Sequence, residues 1–245
     1  MKEVAYEEMF LNELTHPWYT VTRNMMLNTL KKNIGKNAKI LDAGCGTGGT
    51  MIRLHKEGFK NVTGIDKNPL ALKFCKKRGL IKIKISSIDK IDFPKNSFNA
   101  IICMDVLYHV GVNHKKAINE FNRILKPGGL LYMQEPSLNW LRGKHDIAIE
   151  TGHRFNKKEL QDIAESNGFK IIKCTYFNAI LLVPLVIKRL LERLFKENNI
   201  SSEVKPIPTM LKKFFLNILT FEEKISTYTN LPFGLSIICL VRKKQ

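Results

Sequence analysis

The segment Asp42-Ala43-Gly44-Cys45-Gly46-Thr47-Gly48 sets an acid two residues ahead of a glycine-rich turn, where the apolar run Ile40-Leu41 ends and a helical pattern begins. Glycines at the carboxyl end of a strand let a ligand approach the backbone closely. Gly44, Gly46 and Gly49 also satisfy the dinucleotide pattern G-x-G-x-x-G, which alone is weak. The plainer reading is a strand-to-helix turn with a capping acid.

The charge in the turn narrows the ligand. Asp42 would repel a pyrophosphate, and the loop carries no basic partner for one. The ammonium and sulfonium of S-adenosyl-L-methionine meet no such repulsion. Asp66 ends the second apolar run, where a carboxylate accepts both ribose hydroxyls; its competing reading is a cap ahead of Pro69. Ser87, Ile88 and Asp89 would lie where an adenine is held. Lys67, beside Asp66, and Met104, at the end of the fourth strand, join Asp42, Gly44, Cys45, Gly46 and Gly48 as expected cofactor contacts.

Asp105-Val106-Leu107-Tyr108-His109 follows that strand, at the edge where ligands of such sheets bind. His109 is the first candidate base, and packing beneath the cofactor is its alternative role. A later loop carries His145-Asp146 and Gly152-His153-Arg154-Phe155. His145 and His153 are further catalytic candidates, and Tyr108, Asp146 and Arg154 are expected to bind substrate, with arginine offering a planar fork to a phosphate or sugar. A salt-bridged brace is the plainer account of that loop.

These residues need a scaffold, and the pattern supplies one. The expected order is strand 39–43, a helix after Gly48, strand 61–66, helix 69–77, strands 80–85 and 100–104, helix 115–125, strand 130–133, a helix from Lys157, strand 169–175 and a last strand 235–241. Asn156 and Glu159 read as a capping box. Ile81-Lys82-Ile83-Lys84-Ile85 alternates lysine with isoleucine, which suits a sheet edge. Residues 1–36 read as helices covering the cofactor site, 37–177 as the binding core, 178–230 as a helical insertion or lid, and 231–245 as the last strand.

The glycine turn, Gly64-Ile65-Asp66, Phe93-Pro94-Lys95-Asn96-Ser97-Phe98 and Arg123-Ile124-Leu125-Lys126-Pro127-Gly128-Gly129 together resemble the class I S-adenosylmethionine-dependent methyltransferases, and within them the methyltransferase type 11 family, over Lys39 to Met133. That resemblance implies an α/β, Rossmann-like fold: a seven-stranded, mostly parallel sheet with helices on both faces, a reversed last strand and a helical insertion before it. It also implies an enzyme that passes a methyl group in line to an acceptor. Ser87 stands where the family often has an aspartate for adenine, and Asn99 where the third motif usually continues with aspartate.

The expected acceptor is a small molecule or one linked to a lipid or glycan. An RNA acceptor and a partner-binding protein without catalysis are the alternatives, and a dehydrogenase would need a differently placed acid. A net charge of +18 over 245 residues favours anionic partners but is spread along the chain. No appended RNA-binding motif accompanies it. The five cysteines lie far apart without a C-x-x-C pair, so no metal or disulfide framework is expected. The amino terminus carries no signal pattern, so a cytoplasmic location is expected, and the apolar-then-basic stretch from Ala179 to Phe195 allows peripheral contact with a membrane.

Overall fold

Ile40-Leu41 and Ala100-Ile101-Ile102-Cys103 are apolar without alternation, as strands covered on both faces must be. A computed structural model of the chain, which describes residues 3–143, 146–147, 149–187 and 208–245, makes them central. The elements run α1 (Glu3–Asn12), α2 (Pro17–Asn33), β1 (Ile40–Ala43), α3 (Gly49–Lys56), β2 (Val62–Asp66), α4 (Pro69–Lys77), β3 (Ile83–Ile85), β4 (Phe98–Met104), α5 (His114–Ile124), β5 (Leu125–Pro136), α6 (Lys157–Ser166), β6 (Phe169–Phe177), α7 (Thr209–Tyr228) and β7 (Ser236–Lys243).

The strands form one seven-stranded sheet in the order β3-β2-β1-β4-β5-β7-β6. β7 runs antiparallel to both β5 and β6, and the other pairings are parallel. Successive residues of the central strands face opposite layers. Leu41, Ala43, Ile101 and Cys103 pack toward α5 and α6, while Ile40, Ala100 and Ile102 pack toward α2, α3 and α7.

β3 is an edge strand, shorter than the alternating pattern implies. β5 is longer than expected. Of its first residues, Leu125 is expected from the sequence to close the preceding helix and Lys126-Pro127-Gly128-Gly129 to form a turn, but all continue the strand, with Gly128 at φ +72° and a register shift against Phe98 and Ala100. A left-handed glycine and a proline at the start of a strand absorb the irregularity as a bulge. The capping box on α6 forms as its spacing demands.

Among the described residues no helix is long and apolar enough to cross a membrane. Two of the expectations lie outside the described residues: the candidate base His145, and the basic part of the 179–195 stretch from Lys188 onward.

Candidate active site

The turn between β1 and α3 is shaped by three left-handed glycines, Gly44 (φ +82°), Gly46 (φ +52°) and Gly48 (φ +87°). At Gly44 a Cβ would also sit within 3 Å of the Val106 methyls, so no larger residue fits. The N–H groups of Gly44 and Cys45 both donate to the Ile65 carbonyl at 2.8 Å, pinning the turn to β2. Gly46 N–H donates to Asp66 Oδ2 at 3.0 Å, and Asn68 N–H to Asp66 Oδ1 at 2.9 Å. Asn68, not Asp66, caps α4. Asp66 therefore stands at the loop rather than serving the helix.

Gly44, Cys45, Gly46, Asp66, Lys67, Ser87, Ile88 and Met104 all line one cavity of about 610 Å³. Asp42, Gly48 and Asp89 are not among its lining residues. Gly48 is close-packed against Leu80 and Cys75, and Asp89 accepts the Ser87 hydroxyl at 2.5 Å. Asp42 is buried, and its Oδ2 has no hydrogen-bond partner among the described residues. Burial pushes its carboxyl up to about 7, against the opposing pull of Arg23. A glycine turn closed to side chains, a carboxylate at the cavity wall and an orphaned buried acid fit a ligand carrying a ribose and an ammonium group.

The roof of this end comes from residues the motifs do not reach. Glu13, between α1 and α2, is 2% exposed. Its carboxylate accepts from the Thr47 hydroxyl and from Gly49 N–H at 3.1 Å, and pairs with Arg23 and with Arg78 at 2.8 Å. It thereby caps α3, whose own Ncap, Gly48, has no side chain to do so. Tyr6, Met9, Trp18 and Tyr19 line the cavity from the same two helices, and His16, the N-cap of α2, from between them. The signal available in the sequence was an acid beside the helix break at Thr15-His16-Pro17, which spacing alone does not connect to Thr47.

Beyond β4 the chain turns through Asp105 at φ +58°, a conformation that a non-glycine residue holds only when its surroundings enforce it. Here Asp105 N–H donates to the Gln134 carbonyl at 2.7 Å and Gln134 Nε2 donates to Asp105 Oδ2 at 2.9 Å. The next three N–H groups, of Val106, Leu107 and Tyr108, donate to the buried Glu135 carboxylate at 3.3, 3.0 and 3.1 Å. Burial pushes the Asp105 carboxyl up to about 6. His109 lines the cavity beside Tyr108, their rings 4.1 Å apart, and burial pushes its imidazole down to about 4, with Lys67 adding to the shift.

Tyr108, Asp146 and Arg154 reach the same cavity. Arg154 donates to both carboxylate oxygens of Asp146, at 2.8 and 3.2 Å, and to the Ser137 carbonyl at 3.0 Å. Burial raises the Asp146 carboxyl, but Arg154 outweighs it and holds the group below its ordinary range. The guanidinium is thus already engaged by a carboxylate. His153 does not line the cavity; it pairs with Glu159 at 2.8 Å and packs against His114 and Phe155.

The far end is apolar. Trp18, Leu181, Pro184, Leu185, Phe215, Leu219 and Leu235 extend the cavity away from the glycine turn. Glu222, buried in α7, accepts from Ala179 and Ile180 N–H at 2.7 and 3.1 Å and fixes the 179–185 segment beside that wall.

Comparison with known proteins bears on this arrangement. A methyltransferase-domain family matches residues 41–133. An uncharacterised protein of Methanocaldococcus jannaschii is 31% identical over 183 residues, 74% of this chain and 75% of that one. A sterol 24-C-methyltransferase of Gibberella zeae is 34% identical over 115 residues, 43% of this chain and only 30% of that enzyme. A S-adenosylmethionine-dependent methyltransferase from Methanosarcina mazei shares the fold, with a TM-score of 0.57 and 20% identity over 88% of this chain and 97% of that one. The chain belongs to the class I S-adenosylmethionine-dependent methyltransferases, in the methyltransferase type 11 family.

Proposed function

We propose that the chain methylates an acceptor with an apolar body, whose nucleophilic atom lies between Asp105, Tyr108 and His109. One observation carries this reading: the cofactor-side residues and the apolar wall of Trp18, Leu185, Phe215 and Leu219 line a single continuous cavity. Its volume, about 610 Å³, is within the range of pockets that enclose small organic ligands. The sterol named for the Gibberella zeae relative is an acceptor of that character, which supports the reading by similarity over part of the chain.

S-adenosylmethionine, when bound, supplies a methyl group on a sulfonium that is open to in-line displacement. The protein's part is alignment and exclusion of water. Asp66 holds the ribose, and the backbone at Gly44 and Gly46 borders the donor's amino-acid end. Tyr108 and His109 wall the path between donor and acceptor. His109 presents a neutral imidazole at neutral pH, because its pKa is held near 4. Asp105, at about 6, is ionised there and faces the cavity, so it is the group placed to take a proton from an acceptor that must lose one.

Arg154 is paired with Asp146, which weighs against a phosphate or glycan held by that arginine. The test is a methyl-transfer screen on the purified chain, comparing prenylated phenols, sterols and long-chain amines with nucleosides, transfer RNA and free sugars. Turnover confined to the apolar set supports the proposal. Turnover on RNA or sugars alone refutes it.

A further inference from the structure

α7 is built inside out. Its two acids, Glu222 and Glu223, and Ser226 are buried, while Leu211, Phe214, Phe221, Ile225 and Tyr228 are exposed at 50, 57, 60, 37 and 89%. These exposed positions recur at helical spacing along one side of a 20-residue helix. The inward acids are satisfied: Glu222 by Ala179 and Ile180 N–H, Glu223 by Asn28 Nδ2 at 3.0 Å. With both carboxylates turned inward, the exposed charges of the helix are those of Lys213 and Lys224.

The neighbouring segment repeats the pattern. Ile180, Val183 and Ile187 are exposed at 43, 63 and 53%, while Leu181, Pro184 and Leu185 line the cavity. Phe214 and Phe215 divide in the same way, the first outward and the second into the cavity. The apolar wall of the acceptor end and the exposed apolar surface are therefore two sides of the same two segments. Contiguous exposed apolar surface of this kind marks an interaction site.

We propose that the outer side of α7 and the 180–187 segment dock the protein on an anionic lipid bilayer, with the cavity opening toward the lipid. Three features select this occupant: apolar side chains beside lysines and no exposed acid on α7, the +18 charge of the whole chain, and continuity with a cavity lined for an apolar molecule. The inference rests on the apolar-acceptor reading and adds the place from which such an acceptor is drawn. A helix that spanned the bilayer is not required; the surface lies in the headgroup region.

The experiment is co-sedimentation of the full chain with vesicles of phosphatidylcholine alone and of phosphatidylcholine mixed with phosphatidylglycerol. It is run in low and high salt, for wild type, Phe214→Ser/Phe221→Ser and Lys213→Glu/Lys224→Glu. Wild type is expected to bind the mixed vesicles preferentially, each double variant to bind about tenfold more weakly, and the lysine variant to lose most of its salt dependence. S-adenosylmethionine affinity and melting temperature, measured alongside, are expected to hold in both variants. Equal binding by wild type and variants, or no binding by wild type, overturns the proposal. So does a lipid-free dimer that Phe214→Ser/Phe221→Ser dissociates, since the surface would then be a contact between two copies. Turnover of a soluble short-chain apolar acceptor separates the two readings: if it persists without vesicle binding, docking alone falls; if vesicles bind and no apolar acceptor reacts, the acceptor reading falls.

Discussion

The two ends of the cavity are held by opposite means. At the donor end, buried carboxylates gather backbone N–H groups: Glu13 takes Gly49, Asp66 takes Gly46 and Asn68, Glu135 takes Val106, Leu107 and Tyr108. At the apolar end the wall is Trp18, Leu181, Leu185, Phe215 and Leu219, whose contacts are non-directional, with Glu222 adding one comparable anchor on Ala179 and Ile180 N–H. Directional bonds fix positions to tenths of an ångström, whereas apolar packing tolerates exchange of shape at constant volume. The donor end is built to hold one ligand in one pose, and the acceptor end to be changed without disturbing it.

That contrast can be broken by removing a carboxylate. Glu13→Gln is expected to have the largest effect, about 3–5 kcal/mol of stability, because Arg23 and Arg78 lose their buried counter-ion. Urea unfolding measures it, and a loss like that of an exposed glutamate would mean the clamp is unimportant. Asp66→Ala is next: it removes the proposed ribose contact and the acceptor for Gly46 and Asn68 N–H together, so about 100-fold weaker binding of S-adenosylmethionine by calorimetry and a lower melting temperature are expected.

Asp42 gives a smaller effect with a definite sign. Burial raises its folded-state pKa from 3.8 to about 7, so folding favours the protonated form. The stability it contributes is full below the unfolded pKa and is lost as pH rises through the folded one. Melting temperatures of wild type should fall, relative to Asp42→Asn, between about pH 4 and about pH 7, and run parallel above that. Parallel curves would show that Asp42 is ionised throughout. The smallest effect tests the other end: Phe215→Ser should lower kcat/KM for an apolar acceptor about tenfold while leaving the Kd of S-adenosylmethionine unchanged. A matching loss of donor affinity would show that the two ends are coupled.

The same difference governs what the sequence makes legible. Gly44, Gly46 and Asp66 are close to strand ends whose apolar runs announce them, and the Asn156–Glu159 box is local, so short-range spacing suffices. Glu13 caps α3 from 36 residues away, a relation that no local pattern encodes. Asp105 needed its left-handed φ and the Gln134 bond to stand out from an ordinary loop acid. Asp42 carries the pattern of a ligand contact, and only the structure shows that it is buried with one carboxylate oxygen left without a partner among the described residues. α7 was hidden for another reason: the sequence marks 178–230 only as a helical insertion or lid, and the structure shows which side of the helix Glu222 and Glu223 turn inward.

The clamp at Glu13 also has a mechanical consequence. Residues of α1 and α2 wall the cavity beside the glycine turn. Glu13 fastens the junction of the two helices through buried ion pairs with Arg23 and Arg78, while Tyr6 and Phe10 pack α1 on Ala71, Leu72 and Phe74 of α4. The covering helices are therefore anchored twice, by charge at their junction and by apolar contact along α1, so a strain placed on the glycine turn is passed to α4 as well as to α3.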